Sequence, residues 1–322
     1  MSEQPVFKPI PFWTGCHAQT IAASFLSFGS NPSSLKRFVY LSDGDKLVME
    51  ITTPKGWREE DKTVVLVHGL CGSHRSTYIV RMASKLYKDG VRTIRINLRG
   101  CGSGRGHAKK MYHSESSEDV WEAIKEIKRD TPRSPITIIG YSLGGNIILK
   151  MGGERGDEAK GLIDKIISVN PPIHVESTIE HLSKNTFYER YFMTALRDDV
   201  AFLHENFDDL PPIRIPTEMT LLEFNEFYVA PQSGYDDVHE YYNACSSCWL
   251  VHNIAVPCHI LFARDDPIVD CNLLNHSGLP DNVEVLITEN GGHLGYLGVP
   301  GKKGGFHWMD SVLLQWVFED WE

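Results

Sequence analysis

The segment that most constrains the architecture of this 322-residue chain is Ile136-Thr137-Ile138-Ile139-Gly140-Tyr141-Ser142-Leu143-Gly144-Gly145. Four β-prone residues lead into the pattern G-x-S-x-G, and a helical pattern follows to about Met151. This order predicts a buried strand that turns sharply into a helix, with Ser142 at the turn. Side chains two positions before and after the serine would obstruct so tight a turn, and Gly140 and Gly144 occupy those positions. The positive end of the new helix would favour negative charge on the serine oxygen.

On both sides of this segment, short apolar runs alternate with amphipathic helical patterns. Two β-prone runs around Asp43-Gly44 predict a hairpin, and the residues before about Pro32 are interpreted as irregular. Six further runs predict strands: 63–67, 91–98, 136–139, 162–169, 256–262 and 283–287. Helices are predicted at 77–88, 117–129, 143–151 and 307–321. This alternation favours an α/β fold with a mostly parallel, doubly wound sheet covered on both faces.

Residues 173–254 interrupt the alternation, because they contain helical patterns at 178–182, 189–203 and 237–250 but no central strand. Ligands of α/β sheets bind at the carboxyl edge of the strands, and an insertion there commonly covers the site. We therefore expect one domain spanning residues 1–322, with a helical cap at 173–254. The alternative for this insertion is an oligomerisation surface.

Composition narrows the classes of function. The 32 Lys and Arg against 42 Asp and Glu leave a net charge of −10, which disfavours contact with nucleic-acid phosphates. No run approaches the roughly 20 apolar residues of a membrane-spanning helix. The odd number of scattered cysteines, seven in all, and the absence of a secretory pattern at the N-terminus predict reduced thiols and a cytoplasmic location. Oligomeric state is not indicated.

No motif predicts a cofactor or a metal. The glycine-rich residues 100–106 match G-x-G-x-x-G in no register, and no P-loop lysine follows them. Cys245 and Cys248 have C-x-x-C spacing but lack a second pair at zinc spacing. The expected partner is a small molecule.

A serine hydroxyl becomes a good nucleophile only when a base removes its proton, and the base needs an orienting acid. In this kind of sheet the order along the chain is serine, acid, histidine. Asp265 and Asp266 both follow the predicted strand 256–262. We favour Asp266, since it lies three residues beyond Ala263 and Pro267 fixes the turn after it; Asp265 remains the alternative.

The predicted base is His293, which lies in Asn290-Gly291-Gly292-His293-Leu294-Gly295, after the last predicted strand. A histidine surrounded by glycines is poorly suited to a core and well placed to reach over a site. No other histidine of the 14 combines this position and chain order.

Acyl transfer also needs N–H donors for the oxyanion of the tetrahedral intermediate. The backbone N–H of Leu143, at the start of the helix, is one predicted donor. The second is the N–H of Leu70 in the loop that begins His68-Gly69. Gly69 would permit the turn and His68 would hold the loop, while Cys71 is interpreted as a small loop side chain rather than a nucleophile.

With these residues the chain resembles the α/β-hydrolase superfamily and, within it, the YheT-like esterases. The similarity runs from Phe12 to the C-terminus and includes three further segments: Trp13-Thr14-Gly15-Cys16-His17-Ala18-Gln19-Thr20, Asn97-Leu98-Arg99-Gly100-Cys101-Gly102 and Glu240-Tyr241-Tyr242-Asn243-Ala244-Cys245-Ser246-Ser247. The resemblance implies the α/β-hydrolase fold and a cofactor-free serine esterase or lipase-like enzyme.

Taken together, the residues predict a serine carboxylic-ester hydrolase that acts through an acyl-enzyme, and the family resemblance implies short or medium acyl esters, or lipid-like ones, as substrates. One alternative is an acyltransferase, because the same residues would pass the acyl group to an alcohol. The other is a non-catalytic ligand-binding protein on the same scaffold. Such proteins commonly lack one of the three catalytic residues, whereas Ser142, Asp266 and His293 are all present here.

Overall fold

A computed structural model of the protein describes residues 6–11, 13–25, 30–275, 278–301 and 305–320. Within these ranges the main sheet has eight strands, which are β1 (Leu35–Tyr40), β2 (Lys46–Thr52), β3 (Thr63–Val67), β4 (Arg92–Asn97), β5 (Ile136–Tyr141), β6 (Lys165–Val169), β7 (Cys258–Ala263) and β8 (Val283–Thr288). A separate ribbon pairs β9 (Leu297–Gly301) with β10 (Gly305–His307).

The strand order in the sheet is β1-β2-β4-β3-β5-β6-β7-β8. Strands β1 and β2 form the predicted antiparallel hairpin, with Phe38 opposite Val48, and β2 is also antiparallel to β4. The remaining neighbours are parallel. The predicted α/β architecture with a mostly parallel, doubly wound sheet is confirmed, and the carboxyl ends of β5 to β8 meet at one edge.

Helices cover both faces of the sheet. The α-helices of the described residues are α1 (Cys16–Phe25), α2 (Thr77–Lys88), α3 (Ser117–Asp130), α4 (Leu143–Arg155), α5 (Val175–Ser183), α6 (Thr186–Asn206), α7 (Leu221–Phe224), α8 (Ala230–Gln232), α9 (Val238–Cys245) and α10 (Trp308–Phe318). Val65 and Val67 of β3 pack in one core with α3 and α4, while Val64 and Leu66 pack in a second core with α2 and α10. Burial on both faces explains why β3 is a continuous apolar run.

The N-terminal residues differ from the prediction of an irregular segment, because residues 16–25 form α1. The helix has no clear apolar periodicity. Its buried residues are Gln19, Thr20 and Ala23, and hydrogen bonds from the two polar ones to a distant part of the chain stabilise the helix. Phe12, where the family resemblance begins, lies outside the described residues. The last helix ends at Phe318, and the predicted end at residue 321 also lies outside them.

The segment between β6 and β7 is helical and adds no strand to the described sheet. Helices α5, α6 and α9 correspond to the three predicted helical segments, and we name the segment 173–254 the helical insertion. Residues 221–232 were not predicted as helical, since α7 and α8 are short and joined by a π-helical turn at Asn225–Val229. Among the described helices, none is both long and apolar enough to span a membrane.

Candidate active site

Ser142 lies at the turn from β5 into α4, as the motif predicts. Its backbone has φ 52° and ψ −123°, a conformation that costs free energy for any residue other than glycine. The turn is held by the Ser142 N–H, which donates to the Val169 carbonyl at 2.8 Å. A Cβ atom on Gly144 would lie 2.5 Å from the His68 carbonyl oxygen and 2.6 Å from that of Val67. Only glycine at position 144 allows α4 to start so close to β3.

His293 contacts both of its predicted partners. Its Nε2 lies 2.8 Å from the Oγ of Ser142, and its Nδ1 lies 2.8 Å from Oδ2 of Asp266. A carboxylate can only accept, so Nδ1 carries the proton and Nε2 presents its lone pair to the serine hydroxyl. The imidazole is largely buried, with 9% of its residue surface exposed. This arrangement can move a proton from the serine oxygen to the imidazole.

Of the two aspartates after β7, Asp266 is the one that faces His293. Its Oδ1 accepts from the backbone N–H groups of Ile268 and Val269 at 2.8 and 3.1 Å. Its Oδ2 accepts from His293 and also from Nδ2 of Asn170 at 2.6 Å. Four donors therefore converge on this buried carboxylate and fix its plane.

Asp265 lies next to the site but has a different set of contacts. Its carboxylate accepts from the Gly292 N–H at 2.9 Å and from Asn290 Nδ2 at 3.4 Å, so it supports the loop that carries His293. Partial burial raises the pKa of this carboxyl group.

Asn170 was not predicted as part of the site. It follows β6 directly, with φ 45°, and its Oδ1 accepts from the Tyr296 hydroxyl at 2.7 Å. Tyr296, Asn170 and Asp266 thus form a hydrogen-bonded chain that ends at His293. One signal was available: Asn170 ends the strand that lies between those leading to Ser142 and Asp266, and asparagine tolerates positive φ better than most residues.

Helix α1 anchors the loop that carries His293. Thr20 Oγ1 accepts from the His293 N–H at 2.9 Å. Gln19 donates to the Leu297 carbonyl at 3.0 Å and accepts from the Leu297 N–H at 2.6 Å. Gly292 has φ +57°, and a Cβ there would lie 2.5 Å from the Cys16 carbonyl oxygen. The Gln-Thr pair that carries part of the family resemblance therefore lies behind the histidine, a position that the sequence did not indicate.

His68 lies at the end of β3 and ties the following loop to the sheet. Its Nδ1 donates to the Gly69 carbonyl at 2.8 Å, and its Nε2 accepts from the Leu98 N–H at 3.2 Å. Complete burial lowers the pKa of His68 to about 4, so the neutral form that these two bonds require prevails at neutral pH. A side chain at position 69 would be crowded, because a Cβ there would lie 3.0 Å from Cβ of Ser142 and 3.2 Å from the Tyr141 carbonyl oxygen.

The two residues predicted to supply the oxyanion donors are Leu143 and Leu70. Leu143 is the first residue of α4, where backbone N–H groups have no acceptor within the helix. Leu70 follows Gly69, and both leucines border the same cavity as Ser142. Cys71 is next along the loop, and its N–H donates to the Tyr112 hydroxyl at 2.7 Å. Burial raises the pKa of the Cys71 thiol to about 12, so it is not a thiolate at neutral pH.

Two cavities meet at Ser142. The small cavity, of about 80 Å³, extends under the helical insertion, and its apolar wall includes Val175, Ile179, Leu182, Leu196, Leu221 and Phe224. The large cavity, of about 400 Å³, lies between α1, α2 and the start of α6, and is bordered by Ile21, Phe25, Tyr78, Phe187, Tyr191 and His293. Leu70, Ser142, Phe192 and Ile268 border both.

Comparison with known proteins identifies the family of this chain. A family model described as the alpha/beta hydrolase fold matches residues 62–298, which include Ser142, Asp266 and His293. The chain belongs to the α/β-hydrolase fold family. This family resemblance, inferred from the motifs, is thereby confirmed.

Relatives within this family are named as esterases and lipases. The chain is 27% identical over 322 aligned positions to the protein named "Putative esterase YheT" of Escherichia coli, and the match covers 98% of this chain and 94% of that protein. It is 25% identical to a monoacylglycerol lipase of Saccharomyces cerevisiae, over 90% of this chain and 65% of that protein. The solved esterase Pf2001 of Pyrococcus furiosus superposes with a TM-score of 0.57 at 17% identity, covering 91% of this chain and 99% of that one, and so shares the fold.

Proposed function

We propose that the protein is a serine carboxylic-ester hydrolase that acts on small-molecule esters through an acyl-enzyme. One observation carries the proposal. An unbroken hydrogen-bonded chain runs from Ser142 through His293 to Asp266, with both imidazole contacts at 2.8 Å, and the serine oxygen opens onto two cavities. That arrangement provides an activated nucleophile, a base and room for the two halves of an ester. The names of the relatives agree with this activity.

In the proposed mechanism, Nε2 of His293 removes the proton from Ser142 as its Oγ attacks the acyl carbon. The carbonyl oxygen gains negative charge and is stabilised by the N–H groups of Leu70 and Leu143, which Gly69 and His68 help to place. Asp266 holds the imidazole in the required tautomer and stabilises the imidazolium that forms. The imidazolium then protonates the leaving alcohol, and water deprotonated by His293 releases the acyl group.

Asn170 has a positioning role in this mechanism. Its amide holds Oδ2 of Asp266, the same oxygen that faces the imidazole, at 2.6 Å. The Tyr296 hydroxyl fixes that amide from behind. The carboxylate is thereby held towards His293 as charge develops on the ring.

We propose further that the helical insertion is a cap within a single domain. Its apolar side chains form one wall of the small cavity directly beside Ser142, which is the position a cap would take. A cytoplasmic location is also proposed, since the seven cysteines, which all lie within the described ranges, are free thiols.

Labelling with a fluorophosphonate tests the activity. We expect wild-type protein to take up the probe and to hydrolyse p-nitrophenyl acetate. Ser142→Ala should abolish both, whereas Ser183→Ala, at an exposed serine that borders neither cavity among the described residues, should leave both unchanged. Equal labelling of wild type and Ser142→Ala would refute the proposed nucleophile. Addition of an alcohol to the assay distinguishes transfer from hydrolysis, because an acyltransferase would yield the new ester in place of the free acid.

A further inference from the structure

We propose that the small cavity accepts the acyl group and limits it to about four carbons, while the large cavity accepts a bulky apolar or aromatic alcohol. The inference rests on the proposed ester hydrolysis and names the substrate class: esters of short-chain acids with large alcohols. It follows from the position of His293 between the cavities, their volumes and their walls.

The position of His293 decides which half of the ester enters which cavity. The histidine borders the large cavity and is absent from the described residues that border the small one. Its imidazolium must protonate the leaving alcohol oxygen, so the alcohol lies on the histidine side. Leu143, by contrast, borders the small cavity and not the large one among the described residues. The N–H of Leu143 would bind the carbonyl oxygen of the ester, so the acyl chain points into the small cavity.

The volume of the small cavity sets the acyl length. A cavity of about 150 Å³ takes a benzene molecule of six carbons, so about 80 Å³ has room for roughly three carbons beyond the carbonyl. The wall of the small cavity has little room to expand, because Leu196, Leu221 and Phe224 are each at least 97% buried and belong to the core that also contains Val65 and Val67. Insertion of further carbon atoms into a closely packed core costs free energy, so a longer acyl chain is disfavoured.

The large cavity has the opposite properties. Its volume of about 400 Å³ exceeds that of a benzene-sized site more than twofold. Phe187 and Tyr191 of α6 are exposed at its border by 61% and 62%, and Tyr78 adds a third aromatic ring. Aromatic rings stack on one another and cover apolar groups, so this wall suits an aryl or otherwise apolar alcohol.

A pair of isomeric esters tests the orientation. In 2-phenylethyl acetate the ring belongs to the alcohol, and in ethyl phenylacetate it belongs to the acid, while the composition is the same. We expect wild-type protein to hydrolyse 2-phenylethyl acetate at least about tenfold more efficiently, measured as kcat/KM, since a phenyl ring does not fit the small cavity.

The outcomes separate the two proposals. Equal or reversed kcat/KM values, or labelling by fluorophosphonate without hydrolysis of 2-phenylethyl acetate, would overturn the assignment of the cavities and leave the nucleophile intact. Absence of both labelling and hydrolysis would contradict the proposed function itself.

Adjacent leucines provide a matched pair of variants. Leu221 borders the small cavity and is 3% exposed, whereas Leu222 is 42% exposed and borders neither cavity among the described residues. With p-nitrophenyl esters the alcohol stays constant. Leu221→Ala removes three carbons from the wall and should raise the ratio of hexanoate to acetate hydrolysis at least about fivefold. Leu222→Ala should leave that ratio within about twofold of wild type.

A second variant, which narrows the small cavity instead of enlarging it, tests the proposal if Leu221→Ala does not fold. Ile179 is only partly buried, and Ile179→Phe adds bulk to the wall of the small cavity. It should lower the ratio of butyrate to acetate hydrolysis by about fivefold while acetate is still hydrolysed. An unchanged ratio in folded Ile179→Phe protein would overturn the proposal.

Discussion

Replacement of Asn170 by glycine isolates the contribution of its side chain to the site. Asn170 has φ 45°, so Asn170→Gly keeps the backbone conformation without strain while it removes the amide. Three hydrogen bonds are lost: the 2.6 Å bond to Oδ2 of Asp266, the 2.7 Å bond from the Tyr296 hydroxyl and a longer bond of 3.4 Å to the Gly292 carbonyl. The first is the important one for catalysis, because the same carboxylate oxygen receives the Nδ1–H of His293.

The expected size of the effect follows from the charge on the acceptor. Hydrogen bonds to charged groups contribute about 1.5–3 kcal/mol. If this stabilisation acts on the imidazolium of the transition state, kcat falls by about 10- to 150-fold. Tyr296→Phe removes only the outer bond, between neutral groups, and should lower kcat by less than about tenfold.

The assay is the initial rate of p-nitrophenyl acetate hydrolysis, with active sites counted by fluorophosphonate titration and folding verified by near-ultraviolet circular dichroism. Asn170→Ala is the control for backbone strain. It should match Asn170→Gly in kcat but be less stable by about 1 kcal/mol, because alanine resists positive φ. A kcat for folded Asn170→Gly within twofold of wild type would refute the positioning role.

Three further predictions concern the supports of the site. Gly144→Ala should lower the melting temperature or prevent folding, because its Cβ would collide with two backbone oxygens. Gly15→Ala, with no atom within 4 Å of the new Cβ, should melt near wild type, and equal melting temperatures for the two variants would contradict this prediction. Thr20→Val should lower the free energy of unfolding in urea by about 1–3 kcal/mol, because the N–H of His293 loses its acceptor, and Thr20→Ser should restore it. Burial lowers the pKa of His68 to about 4, whereas the pKa of a histidine in the unfolded chain is near 6.5. Between these pH values the unfolded chain binds more protons than the folded protein. The free energy of unfolding therefore falls as the pH drops from about 6.5 to about 4. In urea titrations, the free energy of unfolding should fall by about 3 kcal/mol less between pH 7 and pH 4 in His68→Asn than in wild type. The same fall in both proteins would show that His68 is not the cause.

Prediction from sequence succeeded where the signal is local. The run before Gly140 and the helical pattern after Leu143 are governed by contacts within a few residues and by burial on both faces, so β5, α4 and the turn at Ser142 were predictable. The helix α1 was missed because its stability depends on bonds between Gln19 and Leu297, which are 278 residues apart. A periodicity analysis does not detect such contacts.

For the site itself, chain order and motif limited the candidates to Ser142, His293 and one of two neighbouring aspartates. Adjacent residues on a loop have nearly the same local signal, so only the packed structure shows that Asp266 faces the imidazole and Asp265 supports its loop.

The amino-acid sequence alone determined the strands of the main sheet, the sharp turn at the serine and a short set of candidate residues for the site, because these follow from local patterns and from chain order. The tertiary structure decided the positions of Asn170 and Thr20 behind the site and the unequal volumes of the two cavities. These features arise where segments far apart in the chain pack together. Their geometry depends on all the side chains that meet there at once, which no single stretch of sequence encodes.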